Sequence, residues 1–333
     1  MEVSPLKTAE KKIQKENWWS KFTKRPDFSA IVATIALVLF FSVFTDAFLT
    51  KTNIFGLLRA AGLYIVIAIG MAVVVVVGGL NISIGATGAM CTVICGVCFQ
   101  NWGLSIPVTI LLTLIVGALA GLVNGLVITR IGLNPFVTTL STMFVFQGIA
   151  NGVSKGYPYN QIPEQFTWLG RGSVGGLIPY LFILAAIFLI ALWIFYKYTV
   201  LGRKMLATGG NREAAQMLGV RTENCILIGN IASNVFASIG AMCWMSRLGS
   251  GSSATGGDWM LIGTAVAFIG GTSLSGGVVA PLGLLCAGIM MAIIKNGLVM
   301  IGVNQYFEQT FLGVLILVAV SLEAIRDRSK GKK

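Results

Sequence analysis

The side chains that carry out most enzyme chemistry are scarce in this chain and lie outside its apolar segments. Histidine is absent, and with it the commonest metal ligand and any Ser-His-Asp triad. None of the 12 Asp and Glu residues lies in the middle of an apolar run, where a proton-coupled carrier would need an ionisable relay. No G-x-x-x-x-G-K-S/T phosphate loop is present. The sequence therefore predicts a protein that is not an enzyme and that binds no metal, ATP or other cofactor itself.

Uncharged polar residues, by contrast, occur at the interruptions of the apolar runs and inside them. Their hydroxyl and amide groups could hydrogen-bond a neutral, polyhydroxylated solute along a path through the protein. They could equally form hydrogen bonds between neighbouring helices, a common role of such residues in membranes. Both interpretations stay open for the pathway candidates Asn81, Ser83, Asn124, Thr138, Gln147, Asn234, Thr264 and Ser275, and for Asn230 and Ser233 beside them.

Two glycine-rich segments of similar pattern interrupt the apolar sequence, one in each half of the chain. They are GGLNISIG (Gly78–Gly85) and GGTSLSGG (Gly270–Gly277). Unwound backbone at such an interruption can face a polar cavity, so paired interruptions indicate a transporter's path. Tight turns between helices would use glycine equally well, because glycine accepts unusual torsion angles. The predicted number of spans depends on this choice, since a broken or re-entrant segment would also fit at both places.

The stretch Tyr198–Asn224 is polar, basic and rich in glycine, although long apolar runs flank it. Gly209 and Gly210 are expected to break the chain. Asn211 is then a good N-cap for a short helix, because its side chain can accept from the free N–H groups of the first turn. Gly219 is placed to end this helix in the left-handed conformation.

The predicted short helix has one small apolar face. Ala214, Met217 and Leu218 fall at helical spacing on it. Such a helix, held between two membrane spans, suits a socket on another protein. An ordinary amphipathic linker helix would show the same pattern.

The composition assigns the chain to the membrane. Of its 333 residues, 56% are hydrophobic and 11% are charged, and the mean hydropathy is +0.84; a soluble domain carries about 25% charged residues. At about 20 residues per span, the sequence predicts an all-α integral membrane protein of about ten transmembrane helices with Gly-rich interruptions. The predicted spans are 28–49, 57–77, 86–99, 106–128, 136–150, 177–196, 225–244, 259–269, 278–295 and 311–322.

Basic segments bound this membrane domain. Residues 1–27 form a basic N-terminal segment, residues 28–325 the transmembrane domain, and residues 326–333 a basic tail. With both termini on one side, that side also holds the loop of about 199–222 and most of the 24 Lys and Arg residues, so the positive-inside rule makes it cytoplasmic. The opposite side holds the longest polar loop, 151–176, and only six basic residues: Lys51, Arg59, Lys155, Arg171, Arg247 and Lys295.

From Asn53 to its tail, the chain resembles the permeases of ribose-, galactose- and xylose-type ABC importers. Four motifs carry the resemblance, of which the third is the most specific: GGLNISIG (Gly78–Gly85), GLVNGLVITRIGLNPFVTTLSTM (Gly121–Met143), LGRKMLATGGNREAAQMLGV (Leu201–Val220) and GGTSLSGGVVAPLG (Gly270–Gly283). In that family the third motif holds a coupling helix that docks on a cytoplasmic ATPase. The resemblance implies that the coupling residues here are Arg203, Gly209, Gly210, Asn211, Ala214, Ala215, Leu218 and Gly219.

The resemblance also implies a set of partners. The chain would be a permease subunit of the bacterial inner membrane, with both termini cytoplasmic, working with a second copy or a similar subunit. A cytoplasmic ABC ATPase would bind ATP and Mg²⁺ and drive import of a sugar or similar polyhydroxylated solute. An extracytoplasmic solute-binding protein would dock near residues 151–176 and 249–258, at Lys155, Glu164, Arg171 and Asp258. No nucleic-acid partner is expected, because the charges behind the net +12 lie at the membrane edges.

Other functions stay open at this point. A related importer permease could carry branched-chain amino acids or nucleosides. An ion-coupled carrier or a channel would work alone and would have no need of a docking helix. A membrane-embedded enzyme is disfavoured, because no catalytic group falls at mid-membrane depth.

One residue departs from the family's pattern. The first motif usually reads Gly-Gly-x-Asp-Leu-Ser-x-Gly, and Asn81 here replaces the acid. An amide both donates and accepts hydrogen bonds, so Asn81 can tie unwound backbone together without desolvating a charge. We therefore expect Asn81 to be a structural pivot rather than a ligand of the solute.

Overall fold

The computed structural model describes residues 28–304 and, beyond them, residues 307, 309–311, 313, 314 and 317. The basic segments 1–27 and 326–333 and most of the tenth predicted span therefore lie outside the described residues. The described part forms twelve α-helices and one β-hairpin. The helices are α1 (Phe28–Phe44), α2 (Lys51–Val76), α3 (Ile84–Gly96), α4 (Ile106–Leu126), α5 (Pro135–Ser154), α6 (Glu164–Arg171), α7 (Tyr180–Tyr198), α8 (Val200–Gly210), α9 (Arg212–Met217), α10 (Thr222–Leu248), α11 (Trp259–Ile269) and α12 (Pro281–Met300).

Seven of these helices are long and apolar enough to cross a membrane: α2, α3, α4, α5, α7, α10 and α12. Of these, α3 and α4 continue into π-helical turns, Val97–Asn101 and Val127–Ile131. The all-α membrane class is confirmed, whereas the predicted count of about ten spans is not. The eighth predicted span coincides with α11, but its 11 residues rise only about 16 Å, half the thickness of a bilayer core.

The central helix of the bundle is α2. Every residue from Ala61 to Val76 is buried. A helix that is apolar all round is stable only when other elements enclose it, and α7, α10, α11 and α12 pack around it. The polar first turn of α2 explains why the apolar run placed its start near Leu57 rather than at Lys51.

Glycines bring α4 and α10 into backbone contact. A Cβ atom on Gly121 would lie 2.5 Å from the carbonyl oxygen of Asn230, and one on Gly117 would lie 2.8 Å from that of Asn234. Lipid is as apolar as the helices themselves, so close packing of small residues drives helix association in membranes. Near this contact, polar side chains of both helices form hydrogen bonds to the segment between α2 and α3.

The segment between α10 and α11 turns into the bundle. Gly256 packs against the backbone of Gly85 at the start of α3. The fully buried ring of Trp259 covers Gly88, one turn further along α3. The loop that precedes the eighth apolar run therefore packs against α3, as the loop of a re-entrant segment would. The run itself is too short to be a full span.

The predicted polar loop, residues 151–176, lies between α5 and α7 and contains short regular elements. The end of α5, the whole of α6 and strand β1 (Ser173–Val174) fall within it, and β1 pairs antiparallel with β2 (Ile178–Pro179). Glu164 in the first turn of α6 and Arg171 in its last turn complement the helix dipole. These elements are too short and polar to show in the hydropathy pattern.

Replacing Gly121 with alanine should destabilise the bundle, because the new Cβ atom would overlap the backbone of Asn230 and Ile231 on α10. Overpacking of this kind costs about 1–3 kcal/mol. Gly148 on α5 is the matched control, since a Cβ atom there meets nothing within 4 Å. Melting temperatures of the two purified alanine variants in detergent give the comparison. Equal melting temperatures would contradict the contact between α4 and α10.

Candidate functional site

A network of uncharged side chains lies buried where the chain unwinds between α2 and α3. The amide of Asn81 donates from Nδ2 to Ser233 Oγ (2.9 Å) and to Asn234 Oδ1 (3.4 Å). The hydroxyl of Ser83 donates to Asn81 Oδ1 (2.7 Å) and accepts from Asn124 Nδ2 (2.9 Å). All five residues are completely buried. The network therefore joins the unwound segment to α4 and α10.

Thr87 extends this network to α3. Its hydroxyl donates to Asn234 Oδ1 (2.7 Å), while Asn234 Nδ2 donates to the carbonyl oxygen of Asn230 (3.0 Å). Thr87 was not among the pathway candidates. The signal that could have found it is its position one helical turn after Ser83, which places both hydroxyls on the same face.

The unwinding itself is driven by glycine. Gly78 adopts a left-handed conformation (φ 83°) and ends α2. The N–H of Gly79 closes the end of the helix by donating to the carbonyl oxygen of Val74 (3.0 Å). Polar groups in an apolar interior are costly unless they are paired. The side chain of Asn81 supplies such pairing across to α10 without introducing a charge.

The other pathway candidates lie apart from this network. Thr138 is buried, but its hydroxyl donates within α5 to the carbonyl oxygen of Asn134 (3.0 Å). Gln147 donates from Nε2 to the carbonyl oxygen of Ser253 (2.8 Å). Thr264 is half-buried on α11, and Ser275 is exposed. Four of the eight candidates thus come together, and the other four do not.

The stretch Tyr198–Asn224 contains two helices, α8 and α9, that meet at Asn211. Asn211 Oδ1 accepts from a backbone N–H in the first turn of α9 (2.9 Å), so the predicted N-cap is confirmed. Gly219 has the predicted left-handed conformation (φ 79°). The prediction that Gly209 and Gly210 break the chain is wrong, because both belong to the last turn of α8. The extended backbone of Asn211 (φ −158°, ψ 105°) makes the break instead.

The exposed apolar side chains at the end of α9 are Met217 and Leu218, which are 87% and 84% exposed. Ala214 is exposed beside them, and Arg203 is exposed on α8. Ala215 is only 3% exposed, because it turns inward where α9 contacts α8 and α10. Its expected position at a partner surface is therefore wrong, and the available apolar surface is that of Met217 and Leu218.

A cleft of about 430 Å³ opens beside α9. Its walls come from the π-helical end of α4, from α9 with the turn that follows it, and from the start of α10. Both charged and uncharged polar groups face it. The lining residues are Arg130, Gln216, Val220, Arg221, Thr222, Glu223 and Asn224.

Three segments that are remote in sequence meet at the end of α2. The N–H of Gly277 donates to the carbonyl oxygen of Val76 (2.9 Å). A Cβ atom on Gly209 would overlap that same oxygen. A Cβ atom on Gly276 would lie 2.8 Å from the carbonyl oxygen of Gly209. We call this contact of Val76, Gly209, Gly276 and Gly277 the glycine junction; it joins α2, α8 and the second Gly-rich interruption.

The charged residues predicted to dock a binding protein have different surroundings. Asp258 pairs with Lys295, with 2.8 Å between Oδ2 and Nζ, so its charge is already balanced within the chain. Glu164 begins α6, and Arg171 ends it. Lys155 ends α5 in a left-handed conformation (φ 51°).

Apolar helices around a central, enclosed helix, with an uncharged polar network at its break, define a multi-pass membrane protein of the transport type. Among the described residues, no cluster of His, Cys, Asp or Glu could hold a metal ion. The chain belongs to the family described as "Branched-chain amino acid transport system / permease component", whose model matches residues 53–320. No solved structure matches the chain.

Its curated relatives are import permeases. The chain is 32% identical over 326 residues to the ribose import permease protein of Bacillus subtilis, covering 97% of this chain and 98% of the relative. It is 30% identical over 321 residues to the galactose/methyl galactoside import permease protein of Escherichia coli, covering 90% and 95%. It is 27% identical over 300 residues to the autoinducer 2 import system permease protein of Photorhabdus luminescens, covering 88% of each chain.

The network predicts that Asn81→Leu impairs transport more than Asn81→Asp. Leucine removes the hydrogen bonds to Ser83, Ser233 and Asn234, and an unpaired buried group costs about 1–3 kcal/mol. Aspartate keeps the acceptor for the Ser83 hydroxyl, and the Ser233 hydroxyl can turn to donate to the second carboxylate oxygen. Initial uptake at saturating and at low solute concentration separates a structural pivot from a solute ligand. If Asn81 is a pivot, the maximal rate falls in both variants, and it falls further in Asn81→Leu than in Asn81→Asp. Asn101→Leu, on an exposed residue, is the control. A change in apparent affinity alone would place Asn81 on the binding path.

The glycine junction predicts a sharp difference between two neighbours. Gly209→Ala should lower both thermal stability and uptake, because its Cβ atom would overlap the carbonyl oxygen of Val76. Gly210→Ala is the control, since a Cβ atom there meets nothing within 4 Å. Both substitutions change the same helix end by one methyl group. If the two variants melt and transport alike, the contact between α8 and α2 is not as described.

Proposed function

We propose that this chain is the permease subunit of a binding-protein-dependent ABC importer. The observation that carries the proposal is α9, a short helix outside the apolar spans whose end projects Met217 and Leu218 from the surface. Two large apolar side chains exposed together on a polar segment would be covered by a protein partner, as exposed apolar patches commonly are. A cytoplasmic ATPase would receive them in a groove, with the adjacent cleft taking polar groups of the same partner. That ATPase would bind ATP and Mg²⁺, since this sequence contains no G-x-x-x-x-G-K-S/T phosphate loop.

The glycine junction would transmit movement of the ATPase to the core of the bundle. A movement of the ATPase would displace α9 and the attached α8. Gly209 at the end of α8 touches Val76 of α2 without a side chain between them, so the displacement would reach the core helix directly. The hydrogen bond from Gly277 would carry it to the segment before α12. Packed contacts with two arrangements are what transmits coupling between distant sites.

We propose a sugar or similar polyhydroxylated compound as the solute. Two relatives are named for the import of ribose and of galactose. Within the described bundle interior, the buried polar residues around the break are uncharged, which suits a neutral solute. A branched-chain amino acid, which the family description names, is the second candidate; its two charges would need paired charges along the path.

The proposed assembly places partners at both ends of the bundle. The charge asymmetry of the sequence favours cytoplasmic termini and a cytoplasmic α9 in the bacterial inner membrane. A solute-binding protein would then dock at the opposite end, near α6. A second copy of the chain, or a similar permease subunit, would complete the path.

Serine substitution of both Met217 and Leu218 tests the coupling role. Their exposure means that the fold should be unaffected, and burial of one such side chain is worth about 1.5–3 kcal/mol. We therefore expect at least about a tenfold loss of affinity for the ATPase, measured by co-purification and by ATP-driven uptake in proteoliposomes. The control for ATPase co-purification is serine at Val174 and Leu177, which are also exposed but lie on the β-hairpin, at the end of the bundle away from α9. Unchanged ATPase binding by the Met217/Leu218 variant would refute the coupling role of α9.

The same proteoliposomes separate the importer from an ion-coupled carrier. With ATP held constant, uptake should persist on short timescales after a protonophore is added. Competition by ribose, galactose and leucine then ranks the solute classes. Prompt collapse of uptake with the protonophore would favour a carrier that works alone.

A further inference from the structure

Three arginines converge at the end of α2 that lies away from the glycine junction. Arg59 Nη2 donates to the carbonyl oxygen of Arg171 (3.2 Å). Arg171 Nε in turn lies 3.4 Å from the carbonyl oxygen of Arg247, and its Nη2 donates to that of Leu248 (2.9 Å). The guanidinium of Arg59 lies within electrostatic reach of the other two. We call Arg59, Arg171 and Arg247 the arginine cluster.

The fold holds these like charges together. Gly170, next to Arg171, packs directly on the backbone of α10 at Ser246 and Arg247. The Ser246 hydroxyl donates to the carbonyl oxygen of Phe166 and accepts from the N–H of Gly170, which fixes α6 on α10. The backbone segments that carry Arg171 and Arg247 therefore cannot separate without breaking this contact.

The positive charge of the cluster is not balanced within the described part of the chain. The ion pair there is formed by Lys295 and Asp258, and no described carboxylate pairs with an arginine of the cluster. The hydrogen bonds of Arg59 and Arg171 within the described residues run to backbone carbonyl oxygens, which carry no full charge. Like charges gathered in this way favour a carboxylate from outside, because an Arg-carboxylate contact is charge-assisted and often bidentate.

The cluster has the composition of a protein-binding surface. Arg171 is exposed, and Arg59 and Arg247 are half-buried. Trp168, one turn before Arg171 on α6, is 61% exposed and stacks on Tyr180. Tryptophan and arginine side chains dominate the binding energy of protein interfaces. The cluster also sits at the ends of α6 and α10 rather than along a side of the bundle, so it faces a partner that approaches from outside the membrane.

We propose that Arg59, Arg171 and Arg247 bind a carboxylate-bearing surface of the solute-binding protein; the proposal rests on the proposed importer function. It changes the docking site expected from the sequence. The proposed docking site keeps Arg171 and adds Arg59 and Arg247. It no longer includes Asp258, because the charge of Asp258 is balanced by Lys295. The cluster lies about 25 Å along α2 from Val76, so the two partner surfaces occupy opposite ends of one helix.

The experiment measures binding of the solute-binding protein that supports uptake by the wild-type permease in proteoliposomes. The permease and its ATPase are placed in nanodiscs of zwitterionic lipid. Arg247→Glu and the double variant Arg59→Gln/Arg247→Gln should raise the Kd at least about tenfold and flatten its salt dependence, as expected for lost charge complementarity. Lys51→Glu, at an exposed basic residue on the same predicted side of the membrane that belongs neither to the cluster nor to the docking residues expected from the sequence, should change the Kd less than about twofold.

Two further variants keep the test independent of folding. Arg247→Lys retains the charge and should bind nearly as wild type. A Glu→Lys or Asp→Lys variant of the binding protein that restores binding to Arg247→Glu would identify the opposing carboxylate. Melting temperatures should stay equal across the series.

The outcomes separate the surface from the function. If the wild-type permease binds the protein and Arg247→Glu binds equally well, the cluster proposal is overturned and the importer function stands. If no binding protein supports uptake or binds the wild type, the proposed function fails and the cluster proposal with it. If the glutamine variants co-purify with less anionic phospholipid than the wild type while the Kd is unchanged, the cluster binds lipid headgroups and the proposal is overturned.

Discussion

An apolar bundle that contains unwound backbone must pair the polar groups it encloses, and the rest of this structure depends on that requirement. Between α2 and α3 the enclosed side chains pair with one another: Asn81 and Ser83 share a hydrogen bond and reach α10 and α4, although Asn124 Oδ1 has no partner among the described residues. Beside this network, Gly121 lets α4 touch the backbone of α10. A larger residue at Gly121 would push these two helices apart.

The buried helix α2 connects the two surfaces to which we assign partners. One end carries Arg59 and the arginine cluster, and the other ends at Val76 in the glycine junction. Because the helix is enclosed on all sides from Ala61 onward, it can shift only together with the helices around it. The two surfaces differ in physical character. Exposed Met217 and Leu218 offer apolar area, whereas the arginine cluster offers charge, so salt should weaken contacts at the second surface more strongly than at the first.

Much of the fold follows from local features of the sequence. The long apolar runs predict spanning helices because burying some twenty apolar residues in lipid outweighs any alternative. Asn211 and Gly219 could be assigned correctly because a helix cap depends on torsion angles and on groups within a few residues. The count of spans could not be settled in this way. α11 is apolar yet too short, and hydropathy does not report whether the loop that precedes it packs inside the bundle.

Local features of the sequence were enough to predict the membrane class and the short capped helix α9. Which polar residues meet depends instead on the tertiary structure: Asn81 joins a network, whereas Ser275 is exposed at the surface. It also turned Ala215 inward, pressed Gly209 against α2 and gathered Arg247 into a cluster. The physical reason is the same in each case. These contacts join segments far apart in the chain, and their distances depend on how closely whole helices pack, which no local pattern of residues records.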